Sequence, residues 1–216
     1  MRPDPATHRD PAATTAADAT RVLVIGCGAL ARELLALTRD LPGVKVTCVD
    51  ARLHMRPERI ADAVSARIRK ARREYGPATR IFVAYADCGT GGTLDAVLAQ
   101  EGVERIEGAH CFEFYAGAHA YAELQDDQPG TFYLTDFLAR QFETLILAGL
   151  GLDRHPELRD AYFGNYTRLI YLAQSDDAEL TRKAEAAAAT LGLAFERRQT
   201  GYGELATSIQ AFAGAA

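Results

Sequence analysis

The chain has 216 residues, 48% hydrophobic and 25% charged, with a formal charge of −5 from 24 Lys and Arg against 29 Asp and Glu. This is the composition of an ordinary globular domain, which excludes collagen, coiled coil and disordered scaffold, and the deficit of basic residues argues against a nucleic-acid binder. A chain of this size needs no disulfide staples, so its four cysteines, Cys27, Cys48, Cys88 and Cys111, point to a reducing, cytoplasmic setting where thiols pack, react or bind metal.

Residues 1–20 are rich in Pro, Ala, Thr and Asp, lack the apolar stretch of a signal peptide, and read as a floppy tail ahead of one domain over 21–216. The apolar run Arg21-Val-Leu-Val-Ile25 ends in Gly26-Cys27-Gly28, the pattern of a buried parallel strand entering a tight turn. A helix over 29–39 follows, stopped by Leu41-Pro42-Gly43. A second strand covers 44–49 and closes on Asp50. Pro57 opens a long amphipathic helix over 57–74, ended by Gly76-Pro77. Strand three spans 80–86 and runs into Asp87-Cys88-Gly89.

The loop Gly89-Thr90-Gly91-Gly92 feeds a helix over 93–100. Strand four is expected at 104–109, before His110-Cys111. Residues 125–130 are the clearest internal loop, and Thr135 is an N-cap for a helix reaching about 148. A strand at 167–173, an Ala-rich helix starting at Ser175 or Asp176, a last strand at 193–198 and a C-terminal helix at 203–212 complete the chain. Alternating strands and helices predict a Rossmann-like α/β fold, an open parallel sheet with helices on both faces, in a single domain. No apolar stretch is long enough to cross a bilayer.

In such sheets ligands bind beyond the carboxyl ends of the strands. Cys27, Cys88 and Cys111 all sit at such ends, whereas Cys48 lies within strand two and reads as a core residue. Three thiolates suit zinc or an iron–sulfur cluster and leave one position open for substrate. His110 offers a further ligand, and Glu113 and Asp87 are candidate proton-transfer groups. Against this stands the ordinary role of free cysteine as a small buried hydrophobe, or as a nucleophilic or redox thiol.

A second constellation overlaps the first. Gly26-Cys27-Gly28-Ala29-Leu30-Ala31 fits G-x-G-x-x-A between strand and helix, with Asp50 placed 19 residues past Ala31 to hydrogen-bond a ribose. NAD(P) or S-adenosylmethionine would use Gly26, Gly28 and Asp50 in this way, although any strand-to-helix turn favours glycine. Gly89, Gly91 and Gly92 form a possible anion cradle without the lysine of a P-loop. Gly130 to Asp136 reads as a turn and helix start.

Four blocks together carry a family resemblance: Gly26-Cys-Gly-Ala-Leu-Ala-Arg-Glu33, Tyr85-Ala-Asp-Cys-Gly-Thr-Gly-Gly92, His110-Cys-Phe-Glu113 with Gly117, and Gly130-Thr-Phe-Tyr-Leu-Thr-Asp-Phe-Leu138. With Gly151 to Pro156, Asn165 to Tyr171 and Thr200 to Gly203, they resemble the bacterial and archaeal domain-of-unknown-function family 1638 over nearly all of residues 21–212. The resemblance brings no assigned activity. It implies company with corrinoid-dependent methyltransferases, and hence one-carbon metabolism. The expectation is a cytoplasmic, metal-binding protein acting on a small-molecule substrate, with Cys27, Cys88 and Cys111 as ligands. Zinc would activate a thiol or hydroxyl for methyl transfer, while an iron–sulfur cluster would bind substrate or transfer electrons. The alternatives are an NAD(P)- or S-adenosylmethionine-dependent enzyme, and a non-catalytic accessory protein for a corrinoid methyltransferase.

Overall fold

A computed structural model describes residues 22–214; the tail expected over 1–20 lies outside the described residues. Strand β1 (Val22–Cys27) is buried at all six positions and is flanked on both sides by parallel partners, β2 (Val44–Val49) and β3 (Arg80–Ala84). Its unbroken apolar sequence is what a central strand covered on both faces requires. β4 (Glu104–Arg105) pairs with β3 and completes a sheet in the order β2-β1-β3-β4.

Helix α1 (Ala31–Thr38) leaves the end of β1 through a short 3-10 turn, Gly28–Leu30. Helix α2 (Ile60–Tyr75) follows a 3-10 turn begun by Pro57 and buries Ile60, Val64, Ile68 and Ala71, a stripe at helical spacing. It ends at Gly76, whose φ of +93° an L side chain rarely adopts. Arg69 and Arg72 at 2.9 and 2.6 Å from the Glu101 carboxylate tie it to α3 (Thr93–Glu101).

The expected parallel α/β architecture is present, with its strands divided between two sheets. Strand four was expected over 104–109 but stops after Arg105. The Arg105 guanidinium bonds the Ile106 carbonyl at 2.7 Å, and Gly108 turns at φ +111°. The Gly108 and Ala109 carbonyls then accept the Asp87 and Cys88 amides at 3.0 and 2.7 Å. The segment therefore packs on the loop after β3, which also ends β3 at Ala84, and the chain leaves the sheet edge.

Helices α4 (Cys111–Ala116) and α5 (Ala118–Asp127) lead to the second sheet. It comprises β5 (Thr131–Leu134), β6 (Arg168–Ala173) and β7 (Ala194–Gln199), again all parallel, in the order β5-β6-β7. Strand β5 falls within the segment read from sequence as a turn and helix start. Thr135 does cap α6 (Asp136–Gln141), accepting the Leu138 amide, but a π-helical stretch replaces the regular helix from Phe142 to Leu147. After the short α7 (Arg159–Phe163) and β6 comes α8 (Ala178–Leu191), capped by Asp177 rather than Ser175 or Asp176; α9 (Gly203–Gly214) follows β7.

Strand β6 divides the core by its two-residue period. Ile170 and Leu172 join Tyr133 in the larger apolar cluster with β1, β3, α4 and α9, while Leu169, Tyr171 and Ala173 pack with Leu134 against α8. One cluster thus runs from the first sheet to the second, consistent with a single Rossmann-like domain. Among the described residues no helix is long and apolar enough to cross a membrane.

Candidate functional site

The parallel register brings the ends of β1, β3 and β4 to one edge, and three thiols meet there. Cys27, Cys88 and Cys111 line a single apolar cavity of about 20 Å³, with Tyr85, Phe114 and His54 among its other walls. A space of this size holds roughly one small occupant. Cys27 is buried, Cys88 and Cys111 are partly buried, and all three are free thiols.

Burial pushes all three thiols up. Cys88 rises to about 12, chiefly through burial and then through the Cys27 charge. Cys111 rises well above the usual range from burial and from the charges of Cys88 and Cys27. Cys27 rises through burial, opposed by the Ala29 amide. Ionising one thiol would penalise the next. Among the described residues no group of three or more His, Cys, Asp and Glu side chains is arranged to hold a metal ion. The thiols share a cavity wall rather than a closed ligand sphere.

Cys88 carries a second mark. Its φ of +49° makes it the one non-glycine among the described residues with positive φ, a conformation that costs an L residue roughly 1–2 kcal/mol. Asp87 holds it there. The Asp87 carboxylate accepts the Thr90 hydroxyl at 2.5 Å and the Gly89, Gly91 and Gly92 amides at 3.2, 3.2 and 3.0 Å. The Thr90 hydroxyl is the main cause holding its pKa below the usual value, with the three amides adding to it. The glycine amides expected to cradle an outside anion are therefore occupied by Asp87, which acts as a clamp on the loop.

The other sequence candidates are also engaged locally. Glu113 accepts the Ala109 amide at 2.7 Å across the start of α4. Asp50 accepts the Arg52 amide at 2.9 Å and pairs with the Arg52 guanidinium at 2.6 Å, capping the turn after β2. A Cβ at Gly28 would meet the Val49 carbonyl and the Ala51 amide at 2.9 Å, so that turn is filled by β2's exit. A Cβ at Gly26 would strike the Leu34 side chain, and this glycine lets α1 approach its strand. His110 lies between Phe112 and Tyr121, with ring centroids 5.6 and 5.3 Å away, and is not part of the cavity wall. Cys48 packs against the larger apolar cluster, as expected.

Two features go beyond what sequence reading assigned. His54, which by residue type and position reads as a surface or cap residue rather than a ligand, faces the thiol cavity from the turn after β2; it lies in a 3-10 turn with no periodic signal. The second is a polar seam at the ends of β5 and β6. Asp136, 1% exposed, accepts the Tyr171 hydroxyl at 2.7 Å, the Gln174 amide at 2.9 Å and the Ser175 amide at 3.1 Å. Glu33, 4% exposed in the first turn of α1, is raised by burial, and its Oε2 has no partner. Tyr115 is raised by burial and by the charges of Glu33, Cys111 and Asp136, which places it between seam and cavity. A wider cleft of about 420 Å³ shares Tyr115 and is lined further by Arg198, Thr200, Glu204 and Thr207.

A family model described as "Protein of unknown function (DUF1638)" matches residues 48–209. The chain belongs to that family. The matched region contains His54, Cys88 and Cys111 and begins after Cys27. No curated protein and no solved structure matches the chain.

Proposed function

We propose that the protein binds one thiophilic metal ion through Cys27, Cys88 and Cys111, with zinc as the first candidate. The observation that carries this reading is the single small cavity lined by all three cysteines. The raised thiols support it over a free nucleophile, because burial keeps them protonated at neutral pH and a cation is what offsets the cost of ionising them. The size of the space favours one ion over a cluster. Binding then requires the three side chains to turn inward together.

A bound zinc ion would supply Lewis acidity toward a small substrate's thiol or hydroxyl. In this chain Asp87 fixes the loop carrying Cys88, while Tyr85 and Phe114 exclude water from the sulfurs. The setting we propose, methyl transfer alongside a corrinoid protein, whether catalytic or accessory, rests on the family resemblance. A dinucleotide or S-adenosylmethionine at the β1 turn is the weaker reading, given the filled space at Gly28 and the engaged Asp50.

Anaerobic purification with metal analysis and an absorbance spectrum tests the proposal. One zinc per chain, lost in Cys88→Ser with the fold intact by circular dichroism, is the expected result. Brown absorbance with labile sulfide would replace zinc by a cluster; a chain that takes up neither sinks the proposal.

A further inference from the structure

We infer that the fourth donor at the site is His54, giving a Cys3His set with Cys27 from the end of β1 and one ligand from each of the segments that follow β2, β3 and β4. The inference rests on the three-thiol reading and adds its missing ligand. With the order β2-β1-β3-β4, Cys27 ends β1, His54 lies in the turn after β2, Cys88 follows β3 and Cys111 follows β4, and all four line the same cavity.

The local structure points the same way. Asp50 caps the His54 turn through the Arg52 amide and guanidinium, and the Asp50 carbonyl accepts the Leu53 amide at 3.1 Å. Asp50 is thus a positioning residue for His54. Of the other described histidines, His119 and His155 lie 3.6 and 3.2 Å from Glu123 and Glu157, and His110, next to Cys111, packs against Phe112 and Tyr121 and does not line the cavity. His54 is exposed while lining the cavity, which places it at the cavity's mouth.

Charge also favours imidazole. Three thiolates around a divalent ion carry a net −1, and no Lys or Arg lines the cavity. A fourth thiolate would double that charge in a weakly polar space, whereas neutral imidazole leaves it unchanged. Cys3His is a tetrahedral set suited to zinc. As the neutral and most exposed of the four, His54 is the ligand that yields its position when a substrate thiol or hydroxyl enters.

The test is X-ray absorption and competitive zinc titration on the full chain, using the native sequence, His54→Ala, His54→Cys and His110→Ala, each checked for folding by circular dichroism. The expected native shell is three sulfurs and one imidazole nitrogen. His54→Ala exchanges that nitrogen for oxygen and weakens zinc binding by at least the roughly 10- to 100-fold that loss of an outer-shell partner costs. His54→Cys gives four sulfurs, and His110→Ala leaves the shell unchanged. Three sulfurs with oxygen in the native protein, or a nitrogen that survives His54→Ala, overturns the assignment of His54 while leaving the three-thiol site standing. Zinc that fails to bind, or that binds equally to the Cys27, Cys88 and Cys111 serine variants, overturns the underlying reading and the inference with it.

Discussion

The two sheets end in different ways. At the ends of β5 and β6 a buried carboxylate, Asp136, is met by the Tyr171 hydroxyl and the Gln174 and Ser175 amides. Around the ends of β1, β3 and β4, two buried polar atoms have no hydrogen-bond partner, the Tyr85 hydroxyl and His110 Nδ1, while the unpartnered Glu33 Oε2 belongs to the Asp136 side. Natural proteins satisfy nearly all buried polar atoms, so the unpartnered Tyr85 hydroxyl on the cavity wall is an exception that stability alone does not explain. The Asp136 carboxylate is held by hydrogen bonds within the fold, and the proposed metal site lies at the other end.

The largest expected effect separates the two directly. Asp136→Ala strips the acceptor from several buried donors and is expected to destabilise the fold by about 3 kcal/mol or more, read by urea unfolding. Cys27→Ala, at the other end, should cost roughly 1 kcal/mol. Equal losses would erase the contrast.

A pH series on chelator-treated protein probes the thiol end alone. Unfolded thiols ionise near 9.0, while folded Cys88 holds its proton to about 12. Between those values the unfolded state binds fewer protons, so stability falls as pH rises, by about 1.4 kcal/mol per pH unit for each such thiol. Cys88→Ala should flatten the slope, and an unchanged slope would show that the thiols are not held protonated by the fold.

Asp87→Ala, which frees Thr90 and three glycine amides, should cost about 1 kcal/mol and weaken metal binding more than it weakens the fold. Intact metal affinity in a folded Asp87→Ala protein would mean that the clamp does not position Cys88. The smallest effect has the opposite sign. Cys88→Gly relieves the left-handed backbone and should raise stability by about 0.5 kcal/mol while abolishing metal uptake. A loss of stability there would remove the argument that Cys88 is kept at a structural cost.

The alternating architecture was legible because β1, β3 and β6 are unbroken apolar runs bounded by glycine or polar residues; that pattern located Cys27 at the end of β1 and Cys88 after β3, whereas Cys111, expected at the end of strand four, opens α4 beyond the shortened β4. Strand β5 was not, since four residues beside a strong N-cap carry too little periodicity to separate strand from turn. The division into two sheets depends on Arg105 and Gly108 bending the chain, which strand propensity does not encode. Asp87 and the glycine loop were recognised as a unit but assigned to an outside anion, because sequence cannot show that the carboxylate fills its own cradle. His54 reads from sequence as a surface or cap residue because its place on the wall of the thiol cavity is a tertiary property.

The central claim is that Cys27, Cys88 and Cys111 act as one binding site. Metal stoichiometry of the anaerobically purified native chain and of the three single Cys→Ser variants, measured by plasma mass spectrometry, tests it most directly. The account predicts one metal ion per native chain and loss of it in every variant, with the fold retained. A native chain without metal after growth with added zinc and iron, or folded variants that keep it, would contradict the claim.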